Sequence, residues 1–247
     1  MLRTTSLALA AALFLSAAPL AQDPHAPAAS TSPAPAADPA AVLTRLKAGN
    51  ERFAARASQP LPIDEHKRKA AVGGQSPMAV VLSCADSRVP PEVIFNTGLG
   101  DLFVVRVAGG VTDQAVLASI EYAVDHLGPA LVVVMGHESC GAVKAAIETP
   151  PGADGESPHV AYLLQQIRPS FERLREDASV AALRDAVLVN VEQVVNDLMN
   201  KSATVRARQA DGRLGVVGAY YELASGRVHF SAPVPRPTSV ATTAGRE

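Results

Sequence analysis

Ala130-Leu-Val-Val-Val-Met135-Gly-His-Glu-Ser-Cys140-Gly-Ala-Val143 is a short valine-rich run that ends in a polar turn and resumes as a helical pattern. Six apolar residues in a row, rich in β-branched side chains, read as a strand buried on both faces. Two further runs read the same way, Met78–Ser83 and Leu102–Val107. Asp113–Leu127 reads as a helix, with Val116, Leu117, Ile120, Ala123, Val124 and Leu127 on one face and Gly128-Pro129 as its stop. Val160–Arg175 and Val180–Asn200 read as two more helices, and Leu214–Gly218 and Arg227–Phe230 as late strands. Strands alternating with helices predict an α/β fold, a mainly parallel sheet flanked by helices on both faces. In such sheets ligands bind off the carboxyl ends of strands. The residues following Ser83, Val107 and Met135 are therefore the first candidates for chemistry.

Ahead of this body, Asp38 can cap a helix that has Pro39 at its first position. Val42, Leu43, Leu46 and Phe53 recur at roughly helical spacing through about Ala57, predicting an N-terminal amphipathic arm. Further upstream, Arg3 precedes an uncharged run from Ser6 to Ala18. At 13 residues that run is too short for a bilayer, which takes about 20, and fits a secretory signal. The expected organisation is a signal peptide at 1–21, an Ala/Pro-rich flexible linker at 22–41, a folded domain at 42–233 and a disordered tail at 234–247. The expected location is periplasmic or secreted, with no stable membrane association once the signal is removed.

The chain has 247 residues, 48% of them hydrophobic and 19% charged, with a formal net charge of −2. It is too apolar to be disordered, and its charge gives no general reason to expect nucleic acid. The short basic run His66-Lys67-Arg68-Lys69 reads as a solvated face. Two cysteines exclude a disulfide scaffold but leave open one disulfide, one metal site or two unrelated buried thiols. Both lie at strand carboxyl ends: Cys84 in Cys-Ala-Asp-Ser-Arg-Val89, and Cys140 three residues after His137. Two thiolates and one imidazole make a catalytic-type zinc set, with three protein ligands and an open position. The short His137/Cys140 spacing favours zinc, and an oxidising compartment favours the alternative of a disulfide.

Cys84-Ala-Asp-Ser-Arg-Val89 and Gly136-His-Glu-Ser-Cys-Gly-Ala-Val143 resemble the two signature motifs of the β-class carbonic anhydrases. Between them, Gly100–Gly109 resembles the family's intervening strand, and Ser119–Val124 its following helix. The resemblance spans about Val42 to Phe230. It implies one Zn2+ per chain on Cys84, His137 and Cys140, with Asp86 and Arg88 as the catalytic dyad. It further implies Gln75, nine residues before Cys84, as the substrate-binding glutamine of the plant-like branch, with Phe103 and Tyr122 near the pocket. The Gly141 amide, near a helix start, is a further candidate for polarising a substrate oxygen. Val81 stands where the other branch carries a tryptophan, so no accessory bicarbonate site is expected. Gly110 departs from the Asn usual after Ala-Gly, which puts a local backbone contact in doubt.

The implied activity is reversible hydration of CO2 to bicarbonate and a proton through zinc-bound hydroxide. Zinc lowers the pKa of bound water from about 16 to about 7 in the best-known case, carbonic anhydrase with three histidine ligands. Two thiolates here would raise that value, so activity should rise toward alkaline pH. Asp86, paired with Arg88, either accepts a hydrogen bond from the hydroxide or swings in as a fourth ligand in a closed state. Hydrolysis of CS2 or COS on the same site, and a non-catalytic zinc or redox-sensing role, are the competing readings. His66, His126, His159 and His229 are candidate proton shuttles, and nothing in the sequence chooses among them. The N-terminal helix commonly packs on a partner subunit in this family, which implies a homodimer or a higher even oligomer.

Overall fold

The computed structural model describes residues 37–150, 152, 156–171 and 183–236. The expected signal peptide, most of the linker and the tail beyond residue 236 lie outside these residues. Among the described residues, no helix is long and apolar enough to cross a membrane.

Five strands form one sheet in the order β2-β1-β3-β4-β5: β1 (Ala79–Ser83), β2 (Leu102–Arg106), β3 (Leu131–His137), β4 (Gly215–Tyr221) and β5 (Val228–Phe230). The first four are mutually parallel, and β5 pairs antiparallel with β4. Every residue of β1 is buried, as is all of β3 except Gly136. This is why these two strands read as continuous apolar runs rather than alternating ones; β2, expected to be buried in the same way, is an edge strand in which only Leu102 is buried. Alternate side chains feed two cores. Val81, Val133, Met135 and Val217 face one side, with Leu46, Ile94 and Phe95. Val80, Leu82, Val132, Val134 and Val216 face the other, with Ile120, Val194 and Leu198.

Among the described residues the helices are α1 (Pro39–Ala54), α2 (Glu65–Ala71), α3 (Pro91–Ile94), α4 (Gln114–Tyr122), α5 (Gly141–Glu148), α6 (Pro158–Ile167), α7 (Leu183–Lys201) and α8 (Ala203–Ala210). α1 starts as its sequence dictates, with Asp38 accepting from the Ala40 N–H and Pro39 in the first turn. Its first three residues therefore come from the stretch expected to be linker. Its buried stripe of Val42, Leu46, Gly49 and Asn50 packs on this chain's own sheet and α3. The predicted helix over 113–127 is α-helical only to Tyr122. A π turn over Ala123–Leu127 follows, closed by Gly128 in the left-handed region (φ 67°). The helix expected over 160–175 begins at Pro158, capped by Ser157, and its last residues lie outside those described. The basic run at 66–69 does form a solvated face, but as helix α2 with no buried residue, capped by Asp64. α8 was not legible as a helix, although Ser202 caps it through the Val205 amide. At the far end, Gln209 donates to the carbonyls of Val234 and Pro235, which ties the beginning of the expected tail to the body.

Candidate metal centre

β1 and β3 are neighbours in parallel register, Ser83 opposite Met135, so both chains leave the sheet at the same edge. Cys84 is the first residue beyond β1, His137 is the last residue of β3, and Cys140 caps the start of α5. Ser139 takes a left-handed conformation (φ 55°) that turns the chain sharply enough for Cys140 to face back toward His137. The ligand atoms of Cys84, His137 and Cys140 all lie within 4.8 Å of one another, and all three residues are buried.

The donor set fits a metal ion on this structure's own terms. His137 Nδ1 lies 2.8 Å from the Glu138 carbonyl, which makes it the protonated nitrogen. Nε2 is then left with a lone pair, fully buried and without a hydrogen-bond partner. A buried unpaired nitrogen beside two sulfurs is costly unless something electrophilic accepts it. The Glu138 backbone is itself fixed, because its N–H donates to the Tyr221 carbonyl (2.8 Å) and its Oε2 accepts from the Leu223 N–H (2.9 Å). Glu138 is therefore a strap between the ligand turn and β4.

The two thiols are coupled. The hydrogen bond from Cys140, helped by the Asp86 and Gly109 amides, holds the Cys84 thiol down at about 4 against the opposing effect of burial. The same Cys84 sulfur, together with burial, pushes Cys140 well up, opposed by the Val143 and Ala142 amides at the start of α5.

Asp86 is gripped by Arg88. Oδ1 accepts from the Arg88 backbone N–H (2.9 Å) and from Nε (2.9 Å), and Oδ2 accepts from Nη2 (2.7 Å). The guanidinium holds the Asp86 carboxyl well below the usual carboxylate range. Asp86 Oδ2 lies 3.9 Å from His137 Nε2, and Arg88 Nη2 also reaches the Ser139 carbonyl at 3.3 Å. Arg106, at the end of β2, donates to the carbonyls of Cys84 (3.0 Å) and Asp86 (2.5 Å), so it clamps the loop that carries both. The Gly109 N–H donates to Cys84 Sγ at 3.4 Å. The sequence reading missed Arg106 and Gly109; the available signal was a charged residue closing an apolar strand, followed by two glycines. Gly110 is also left-handed (φ 64°), and its N–H closes a turn on the Val107 carbonyl at 2.9 Å.

Not every predicted site residue joins this group. Gly141 opens α5 beside the ligands and is exposed. Gln75 is exposed and precedes β1, whereas Cys84 follows it. The whole length of β1, five extended residues at about 3.3 Å each, runs between them. Gln75 instead lines a cavity of about 520 Å³ with Leu61, Ile63, Leu99 and Leu102. Phe103 sits opposite Val80 near the amino end of the sheet, half-buried against the core. Tyr122 ends α4, which runs back toward that same end; it is 52% exposed, with its ring 4.8 Å from that of His126. Within one chain, then, Gln75, Phe103 and Tyr122 lie at the opposite end of the sheet from Cys84, His137 and Cys140. The candidate shuttles His66, His126, His159 and His229 are all exposed.

A protein-family model for carbonic anhydrase matches residues 79–228. Among curated proteins, "Carbonic anhydrase 2" of Mycobacterium tuberculosis is 43% identical over 194 residues, covering 78% of this chain and 93% of that protein. The carbonic anhydrase of Mycolicibacterium smegmatis is 42% identical over 198 residues, covering 79% and 95%. Among solved structures, the Coccomyxa β-carbonic anhydrase in complex with acetazolamide superposes with a TM-score of 0.63 at 29% identity, covering 81% of this chain and 89% of that one. A tetrameric β-carbonic anhydrase from Sordaria macrospora gives 0.62 at 27% identity, covering 79% and 100%.

Proposed function

This chain belongs to the β-class carbonic anhydrase family, and on that premise we propose that it hydrates CO2 reversibly to bicarbonate and a proton at a zinc ion held by Cys84, His137 and Cys140. The observation that carries the reading is the buried, partnerless Nε2 of His137 set between two cysteine sulfurs, with an ionised carboxylate alongside. Zinc, when bound, supplies the Lewis acidity that makes hydroxide available near neutral pH. The protein's own residues do the remaining work. Asp86 is an acceptor held in one orientation by three hydrogen bonds from Arg88, so it can take and aim the O–H of a reacting water. Because Arg88 also bonds the Ser139 carbonyl, the dyad is braced against the ligand turn. The bidentate pair opposes a swing of Asp86 onto the ion, so closing the site requires breaking it.

The amino-end placement of Gln75 bears on assembly. For its amide to hold a substrate oxygen, it must act at the site of another copy of the chain. We therefore propose a homodimer or larger even oligomer, a reading supported by the tetrameric relative of known structure. We further propose, from Arg3 and the apolar run that follows, that the enzyme works in the periplasm or outside the cell.

Metal analysis combined with stopped-flow CO2 hydration tests the central reading. One zinc per chain is expected, with rapid hydration by the wild type and a loss of at least about 10²-fold in Asp86→Ala. One zinc per chain with negligible hydration by the wild type would overturn it, and turnover of COS or CS2 in the same assay would redirect the substrate assignment.

A further inference from the structure

The apolar stripe of α7 runs Ala186, Val187, Val191, Val194, Val195 and Leu198, and Asn190 interrupts it at 4% exposure. A primary amide in that position persists only with a partner. Asn190 Nδ2 donates to the Gly109 carbonyl at 2.8 Å. Gly109 is the residue whose N–H donates to Cys84 Sγ. It is left-handed (φ 74°, ψ −6°), and a Cβ there would lie 2.7 Å from Ile167 Cδ1. Glycine backbone is intrinsically permissive, so an anchored carbonyl is what fixes the direction of the amide on the same residue.

The approach of α7 has its own structural provision. A Cβ on Gly136 of β3 would lie 2.6 Å from Val191 Cγ2 and 2.7 Å from Val187 Cγ1. A Cβ on Gly218 of β4 would lie 2.9 Å from Val191 Cγ1. Two bare backbone positions therefore let the turn of α7 that carries Asn190 settle close to the sheet, beside the ligand loops.

We infer that Asn190 is a positioning residue for the metal centre: it aims the Gly109 amide at the Cys84 sulfur and so sets the donor strength of that ligand. The inference rests on the reading of Cys84, His137 and Cys140 as a metal centre. An N–H bonded to a thiolate draws charge from the sulfur, and hydrogen bonds of this outer kind typically change metal affinity by about 10- to 100-fold.

The test uses cobalt-loaded protein. In Asn190→Ala and Asn190→Asp, the sulfur-to-cobalt charge-transfer band should move to longer wavelength, because a sulfur deprived of its N–H partner gives up charge more easily. The rate of metal transfer to a chelator should change by about tenfold or more. Asn50→Ala is the matched control. Asn50 is equally buried, donates to the Ile94 (3.3 Å) and Gly226 (2.8 Å) carbonyls and accepts from the Val228 N–H (2.8 Å), but contacts no metal ligand. It should lower the melting temperature and leave the band in place. An unmoved band and unchanged metal transfer in the Asn190 variants would overturn the inference. Should those variants fail to fold, wild-type protein loaded with 113Cd decides: a scalar coupling from cadmium to the Gly109 amide proton supports the inference, and its absence overturns it. Wild-type protein that binds neither cobalt nor cadmium would instead overturn the metal-centre reading, and this inference with it.

Discussion

Asp86 and Arg88 are two residues apart and solve a problem that neither could solve alone. A lone carboxylate beside two sulfurs would be repelled by their charge, and Arg88 supplies the compensating positive charge in a bidentate grip. The sign of the pH dependence follows. The Asp86 pKa is depressed, chiefly by the Arg88 hydrogen bond. The pair's contribution is therefore fully present above the unfolded carboxylate value of about 4, and is lost only as pH falls through the lower folded value. Asp86 stays ionised across the neutral range, so a change of rate between pH 6 and 9 reports another group. Replacing Arg88 by Ala removes the first cause of the depression. The further fall in kcat/KM that Asp86 protonation causes at the acid extreme should then begin at higher pH, alongside a large fall in rate. An acid limb that stays in place would show that a different group governs it. Both residues were legible because they share with Cys84 one five-residue loop that resembles a family motif. Arg106 and Asn190 were not, because they reach the same loops from a neighbouring strand and from a helix about a hundred residues away.

At the scale of elements, two contacts hold the site edge in place. α1 lays Val42 and Leu46 into its own chain's core, with Leu46 fully buried. Leu46→Ala should cost about 2–5 kcal/mol, read as a lower denaturant midpoint at unchanged slope. A loss well under 1 kcal/mol would mean that α1 is not docked on its own sheet in solution. α7 depends on the bare backbone of Gly136. The Cβ of Gly136→Ala would collide with two valines that are locked in the core, so an overpacking cost of about 1–3 kcal/mol is expected. Because Gly136 immediately precedes His137, its alanine variant should also release metal to a chelator faster than wild type. Periodicity found α1 and α7 but not their docking partners, since it fixes which face is buried and not what covers it. The π turn after Tyr122 and the helical state of the polar α2 were hidden for a related reason: neither carries an apolar stripe long enough to signal its geometry.

For the whole molecule, the sheet separates two groups of residues that the family resemblance assigns to one reaction. The ligands, Asp86 and Arg88 lie off the carboxyl ends of β1 and β3, whereas Gln75, Phe103 and Tyr122 lie at the amino end. Light scattering should therefore give an even assembly. Gln75→Ala should lower kcat/KM by about three- to tenfold, the worth of one hydrogen bond, with metal content unchanged. An active monomer would refute the assignment of Gln75. The sequence by itself determined the α/β class, the two strands buried along their length, β1 and β3, and the two short loops whose family resemblance singles out Cys84, His137 and Cys140 with Asp86 and Arg88. Those features rest on local pattern: runs of β-branched residues, and ligands packed into two short loops at strand ends. Only the tertiary structure decided the strand order, the docking of α1 on its own sheet, the clamps that Arg106, Gly109 and Asn190 place on the ligand loops, and the distance of Gln75 from the ligands. Those depend on which segments meet in space, and the free energy that brings them together comes from non-directional apolar burial, which leaves no positional mark on the chain.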